Sequence, residues 1–312
     1  MATHERIFVA RRPLGRTGFA ATLLGAGDLA DRSQPIDRCV ATLQRAFDAG
    51  INVVDTAPGY EDGYSEEIVG RAVRGRRDEL FIIDKVDDLH GPVAPQIEES
   101  LHRLQLDHAD AFVFHGLSSM EDFLRLAAPG GGFDQLSDAI RAGKARFRGI
   151  SSHNPTVLAA ALAADLCDIV LFPVGAFVEE RYISEILPMA RARNVGTVCF
   201  KTFGAGKLLG DTAGYNQPLQ RRPRGKLSSG GVDGAVAVLP RLSVDECLHY
   251  TLTLDPDVTL LGLSFPNEQD QAFASARRFS PLDHAAMVDI RTRAADARLG
   301  KGPCWWNPDP NA

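Results

Sequence analysis

Ile51–Asp55 reads INVVD, Leu80–Lys85 reads LFIIDK and Ala111–His115 reads AFVFH. Each is an apolar run ending on an ionisable residue, and Asp55, Lys85 and His115 follow one another at intervals of thirty residues. That interval is about the length of one βα repeat. The spacing predicts three neighbouring parallel strands, each delivering one polar side chain at equivalent height on its C-terminal end. In a closed barrel such ends gather at one mouth, where catalytic groups sit. Working outward, the strand candidates are Thr22–Ala26, Ile51–Val54, Leu80–Ile83, Ala109–Phe114, Arg146–Ser151, Asp168–Pro173, Gly196–Phe200 and Val258–Gly262. Their apolar content is nearly continuous rather than alternating, as expected of strands covered outside by helices.

The segments between them carry a helical period. Ile36, Cys39, Val40, Leu43, Ala46 and Phe47 mark one helix face, with Gly50 closing that helix, and Ile183, Ile186, Leu187 and Ala190 repeat the pattern. Eight alternations imply an α/β fold, a (β/α)8 TIM barrel, read as a single domain over residues 1–312 with long loops at the C-terminal mouth. An open doubly wound sheet is the competitor. It calls for a GxGxxG turn after an early strand, of which Leu24–Leu29 (LGAGDL) supplies only part.

Four segments depart from the rhythm. Pro13–Gly18 (PLGRTG) reads as a hairpin-like turn, and Gly116–Phe133, with its PGGG at Pro129–Gly132, as a long loop over the mouth. Thr202–Arg241 is a second long loop with a basic stretch, RRPRGK, at Arg221–Lys226. A loop of that length in a compact domain points to function more than to a solvated insertion. In the tail after Leu299, Trp305 and Trp306 anchor the segment or wall an apolar substrate, with anchoring favoured.

Bulk composition closes off other classes. A net charge of −6 leaves no basic face for nucleic acid. No apolar run approaches the roughly 18 residues of a membrane span, and Met1–Arg12 has no signal-peptide core. The five cysteines are odd in number and scattered without metal-ligand spacing, so they read as thiols in a reducing compartment. The expectation is a cytoplasmic protein acting on a small molecule, with no metal, membrane or nucleic-acid partner and an open oligomeric state.

Taken singly, each polar residue has an ordinary explanation: an Asp capping a helix, a Lys reaching solvent, a satisfied core His, a Tyr packed in a turn. Jointly those explanations require a coincidence, because Tyr60 follows Asp55 by five residues and joins the other three at one mouth. The group has a definite chemistry. A phenol, with an ordinary pKa of about 10, is a poor acid at neutral pH. A nearby ammonium stabilises phenolate, and a carboxylate holds the ammonium in place. An imidazole beside them can donate to a carbonyl oxygen where charge develops. Such a site protonates an alkoxide; the hydride must come from a cofactor.

At this point the sequence resembles the aldo-keto reductases. The resemblance rests on PLGRTG, GINVVDTAPGY at Gly50–Tyr60, YSEEIVGRAV at Tyr64–Val73, the strands ending in Lys85 and His115, and GKARFRGISSHN at Gly143–Asn154. It continues weakly to LLGLSFPNEQDQ at Leu260–Gln271, and so spans nearly the whole chain. It implies an NADP or NAD cofactor lying across the mouth of the barrel. It also implies a catalytic tetrad: Tyr60 as general acid–base, Lys85 lowering its pKa, Asp55 pairing with Lys85, and His115 orienting the carbonyl.

The implied cofactor contacts begin with Gly27, Asp28 and Asp55 beneath the nicotinamide ribose, and Ser151 and Ser152 at the carboxamide. Ser152 stands where the family has Asn, and Leu171 where it has Gln. Phe200 would stack on the nicotinamide; Gly204, Gly206 and Leu208 begin the loop over the pyrophosphate. At the adenosine end Gly262, Ser264, Glu268 and Gln271 are the matching positions. Glu268 stands where NADPH-specific relatives place a cation, so NADH is expected to be accepted at least as well as NADPH, unless Lys207 or the basic stretch reaches the phosphate. The function so implied is reduction of an aldehyde or ketone, or the reverse oxidation of an alcohol. Two alternatives stand beside it: an NAD-dependent sugar- or pyridoxal-type alcohol dehydrogenase, and a cofactor-sensing regulatory subunit like the channel β-subunits. The intact tetrad argues against the second.

Overall fold

The computed structural model describes residues 6–210, 239–262, 264–304 and 306–307. The basic stretch at 221–226, with most of its loop, and Trp305 lie outside the described residues.

Two short strands, β1 (Arg12–Pro13) and β2 (Ala20–Ala21), form an antiparallel hairpin around the predicted turn. Eight parallel strands follow: β3 (Leu24–Ala26), β4 (Val53–Asp55), β5 (Phe81–Val86), β6 (Ala111–Phe114), β7 (Phe147–Ser151), β8 (Ile169–Pro173), β9 (Gly196–Phe200) and β10 (Val258–Leu261). They close into a barrel in the order β10-β3-β4-β5-β6-β7-β8-β9. Every predicted strand is present within a few residues of its predicted bounds.

Helices cover the outside: α1 (Ile36–Asp48), α2 (Tyr64–Ala72), α3 (Val93–Leu104), α4 (Met120–Ala127), α5 (Gly132–Arg141), α6 (Pro155–Ala163), α7 (Leu187–Ala192), α8 (Val244–Thr253), α9 (Pro266–Arg277) and α10 (His284–Ala297). Gly50 ends α1 as expected. It has φ +103, and a Cβ there would lie 2.1 Å from the Phe8 carbonyl oxygen, so no other residue fits.

The segment 116–133 is not a long loop. Residues 120–127 are helical and the next helix starts at Gly132. Ser119 caps α4 by accepting from the Asp122 N–H, Phe123 and Leu126 bury one face, and Gly130 at φ +74 makes the turn. The PGGG stretch is a tight inter-helix connection rather than a hinge, and an eight-residue helix carries too few turns to show a clear period.

Side chains alternate across the barrel wall. Val53, Phe81, Ile83, Ala111, Val113, Ile169, Leu171, Val198, Val258 and Leu260 fill the interior, joined by Leu14 and Ala21 of the hairpin, which plugs the N-terminal end. Leu24, Val54, Ile82, Phe112, Ile150, Val170 and Leu261 face the helices. By this parity Asp55, Lys85 and His115, each two residues beyond an interior position, belong to the inner face.

At the N-terminal end one contact recurs. Asn52 Oδ1 accepts from the Thr22 N–H at 2.9 Å, Asp110 Oδ2 from Ile82 at 2.9 Å, Asp168 Oδ2 from Arg148 at 3.1 Å and Asp257 Oδ2 from Thr197 at 2.9 Å. Each acceptor stands just before one strand and takes an amide of the preceding strand, or, at Thr22, of the residue two before it, joining β3 to β4, β5 to β6, β7 to β8 and β9 to β10. The cysteines are all unpaired; four are buried and Cys304 is half-buried.

Candidate active site

Asp55 ends β4 and Lys85 is the penultimate residue of the neighbouring β5, but the two are not on one rung. Asp55 aligns with Ile83, and Lys85 with Val113, so each polar residue stands two positions further along than the last. Strand tilt converts part of that stagger back into common height at the mouth. Lys85 Nζ lies 2.7 Å from Asp55 Oδ1 and donates to the Thr56 carbonyl at 2.6 Å. It sits 4.5 Å from the centroid of the Tyr60 ring. His115 meets that ring edge-on, with centroids 5.4 Å apart. The four predicted residues are thus brought together.

Tyr60 is held by its loop. Its N–H donates to the Ala57 carbonyl at 3.2 Å, and Arg32 ties down the carbonyls of Glu61 and Asp62, both at φ +52. Electrostatically the cluster departs from the simple expectation. Burial raises the pKa of the Tyr60 phenol; Lys85 pulls it down without overcoming that, and Asp55 adds to the rise. Lys85 therefore moderates a phenol that the site keeps protonated. Burial alone would lower the Lys85 pKa, but Asp55 and Tyr60 outweigh it, so the ammonium stays charged.

Asp87 has no place in the sequence expectation. Its Oδ1 lies 2.6 Å from His115 Nδ1, and its Oδ2 accepts from the Gly59 N–H at 2.7 Å. One carboxylate thus joins the imidazole to the loop carrying Tyr60. Burial would raise its pKa, but the His115 contact and the Gly59 N–H bring it below the usual carboxylate range. The available signal was its place two residues past Lys85, on the same parity. His153 is a second unforeseen group. Its N–H donates to Ser118 Oγ, its ring lies 5.3 Å from that of Phe200, and burial, with Lys201 and His115 nearby, pushes its pKa down to about 3.

Behind Lys85 the wall carries two more carboxyls. Asp84 and Glu66 are wholly buried between β5, α2 and α3. Asp84 Oδ1 accepts from the Lys85 N–H at 2.8 Å, and Arg103 pairs with Glu66. Burial raises both carboxyls. The Glu66 charge adds to the rise at Asp84, and Arg103 opposes it at Glu66.

The expected cofactor positions fall in three places. Gly27 donates to the Leu261 carbonyl at 2.8 Å, and Asp28 accepts from the Ala30 N–H at 3.0 Å. Ser151 and Ser152 are buried at the end of β7, where Ser152 Oγ accepts from the Asn154 N–H at 3.1 Å. Leu171 ends inside the barrel and Phe200 closes β9. Gly204, Gly206 and Leu208 belong to a 3₁₀ turn, Gly204–Leu209, with left-handed Ala205 and Gly206. Gly262 and Ser264 follow β10, and Ser264 Oγ donates to the Gly262 carbonyl at 3.3 Å. Glu268 is buried in the first turn of α9, whereas Gln271 is exposed on that helix.

Trp306 is fully buried. Its Nε1 donates to the Phe177 carbonyl at 3.2 Å, the Tyr182 hydroxyl donates to its carbonyl at 3.1 Å, and Lys201 and Lys207 lie 5.5 and 5.8 Å from its ring centroid. Anchoring, the favoured reading of the tail, holds for this residue. Among the described residues no helix is long and apolar enough to cross a membrane.

Comparison with known proteins agrees with this geometry. The profile of the Aldo/keto reductase family matches residues 23–257. Aldo-keto reductase YhdN of Bacillus subtilis is 28% identical over 185 residues, covering 55% of this chain and 54% of that protein. L-galactose dehydrogenase of Arabidopsis thaliana is 28% identical over 216 residues, covering 63% of this chain and 66% of that protein. The chain thus spans between half and two thirds of these relatives. Among solved structures, the holo form of aldo-keto reductase AKR11C1 from Bacillus halodurans superposes with a TM-score of 0.67 at 19% identity, covering 94% of this chain and 97% of that one. At that identity the likeness speaks for the fold.

Proposed function

The chain belongs to the aldo/keto reductase family, and on that footing we propose that it interconverts an aldehyde or ketone with the corresponding alcohol, using NADP or NAD, with Tyr60 as proton donor. One observation carries the reading: the Lys85 ammonium lies 2.7 Å from Asp55 and 4.5 Å from the Tyr60 ring, with His115 edge-on to that ring.

A dinucleotide suits the rest of the mouth. Thr202, 1% exposed just beyond β9, has a buried hydroxyl with no hydrogen-bond partner among the described residues, which suits a polar group bound at the mouth. A dinucleotide held at the mouth would supply the hydride and take it back. Everything else is done by side chains. Tyr60, kept protonated by burial, gives its proton to the substrate oxygen as negative charge develops there. Lys85 stabilises the phenolate left behind, Asp55 holds Lys85, and His115 orients the oxygen. Gly27, Asp28, Ser151, Ser152 and Phe200 would hold the nicotinamide end; Gly204, Gly206 and Leu208 the pyrophosphate; Gly262, Ser264, Glu268 and Gln271 the adenosine.

Buried Glu268 favours NAD over NADP, and with it the reading as a sugar- or pyridoxal-type dehydrogenase. A carboxylate accepts from a ribose hydroxyl and repels a 2′-phosphate. Residues 1–312 are read as one barrel domain, and the unpaired thiols suit the cytoplasm.

The test is Tyr60→Phe, assayed at the nicotinamide absorbance with aldehydes, ketones, sugars and alcohols. Turnover should fall about 10²–10⁴-fold with dinucleotide binding nearly unchanged. Near-normal turnover on every substrate of the wild type would remove Tyr60 as the proton donor.

A further inference from the structure

Two parts of the site arrive from different places in the chain. His115 follows β6, and Tyr60 sits in the loop after β4. Asp87, the first residue past β5, reaches both. Its Oδ1 lies 2.6 Å from His115 Nδ1, and its Oδ2 accepts from the Gly59 N–H at 2.7 Å. The turn before Tyr60 is shaped to admit the second contact. A Cβ at residue 59 would lie 2.4 Å from Asp87 Oδ2, so any other residue there pushes the carboxylate away.

The same strand end holds the rest of the tetrad. Lys85, two residues earlier, pairs with Asp55 at 2.7 Å, donates to the Thr56 carbonyl at 2.6 Å and lies 4.5 Å from the Tyr60 ring centroid. His115 meets that ring edge-on, with centroids 5.4 Å apart and planes at 86°.

We propose that Asp87 is a positioning residue for the reaction: it ties His115 to the loop that carries Tyr60, so that the ring orienting the substrate oxygen and the phenol protonating it are set from one strand end.

Both groups must meet a single oxygen, and a misplacement of about 1 Å can cost about 10²-fold in rate. On separate loops each would drift independently; a shared carboxylate removes that freedom. The inference rests on the function proposed above, keeps the roles given there to His115 and Tyr60, and adds the residue that holds the two in register. A residue that merely stiffened the mouth would show in binding, whereas one that aligns the reacting groups shows in kcat.

The test compares Asp87→Ala, Gly59→Ala, His115→Gln and the double variant Asp87→Ala/His115→Gln, each in the full chain. Amide exchange of Gly59, followed by NMR without cofactor, should be slow in the unaltered protein and fast in Asp87→Ala. Equal exchange in the two overturns the link, whatever the enzyme turns over. Asp87→Ala should lower kcat about 10²-fold, with KM and the dinucleotide Kd nearly unchanged. Gly59→Ala keeps the carboxylate but displaces it, and should lower kcat in the same way. Once the ring is gone, in the His115→Gln background, removing Asp87 should cost little more. Losses that multiply, or a fall in dinucleotide binding as large as the fall in kcat, overturn the positioning role. An unaltered protein without dinucleotide-dependent turnover would instead count against the function proposed above, and the Gly59 exchange would still decide the link.

Discussion

Replacing Lys85 by Met tests the centre of the site. The substitution keeps an unbranched apolar stem in a position 1% exposed, and removes only the charge. The charge has two effects. At 4.5 Å from the Tyr60 ring it favours phenolate; with an effective dielectric near 20, Coulomb's law gives about 4 kcal/mol. If most of that is felt as the proton leaves Tyr60, turnover falls up to about 10³-fold. The other effect is structural. Asp55, 2.7 Å away and 5% exposed in its side chain, is left buried and unpaired. Breaking such a pair costs about 3–5 kcal/mol, while removing both charges costs far less. Urea unfolding of Lys85→Met, Asp55→Asn and the double variant reads the second effect as a coupling; turnover of the same proteins reads the first. The expected pattern is a double variant that regains most of the lost stability and none of the activity. Stability costs that simply add, or a loss of turnover below tenfold, would refute the picture of Lys85 as a buried charge shared by Asp55 and Tyr60.

Asp84→Asn should stabilise the protein increasingly as pH rises. Burial, with the Glu66 charge, holds the Asp84 carboxyl well above its ordinary value. Such a group contributes its full stability below the unfolded pKa of about 4 and loses it as pH climbs through the folded pKa, by about 1.4 kcal/mol per pK unit separating the two states. The gap in Tm between variant and wild type, measured from pH 5 to 8, should widen upward; a constant or shrinking gap contradicts the assignment. Glu268→Arg should shift preference towards NADPH by about tenfold, read by titrating tryptophan fluorescence with each dinucleotide. A wild type that binds NADPH a hundredfold tighter, with no response to the substitution, would hand the 2′-phosphate to the basic loop.

The eight strands were legible because a strand buried on both faces must be apolar along its length, and nothing else here has that texture at that spacing. The tetrad was legible for a related reason: one polar residue at the end of an apolar run has few tolerable places to be. Asp87 escaped because it lies past the end of β5, where no periodicity disciplines the reading and an acidic residue looks like ordinary loop. His153 escaped similarly, two residues beyond β7. The helix at 120–127 was misread because Pro and Gly beside it signal a turn equally well whether the turn joins two helices or belongs to a loop. The resting state of Tyr60 is a different kind of miss. That a nearby ammonium pulls a phenol down follows from residue types; that burial outweighs it requires knowing how much of the site is shielded from water.

The recurring amide contact at the N-terminal end has a consequence for how the barrel is divided. The acceptors join β3 to β4, β5 to β6, β7 to β8 and β9 to β10. Among the described residues the intervening pairings have the sheet ladder without that extra staple. The molecule is in this sense four quarters and four seams. Asp55 belongs to the first quarter, while Lys85 and His115 belong to the second, so the ion pair at the heart of the site spans a seam. That seam carries its own link at the other end of the barrel, because Lys85 reaches across it to Asp55 at 2.7 Å and to the Thr56 carbonyl at 2.6 Å, so the groups that do the chemistry also join two stapled quarters.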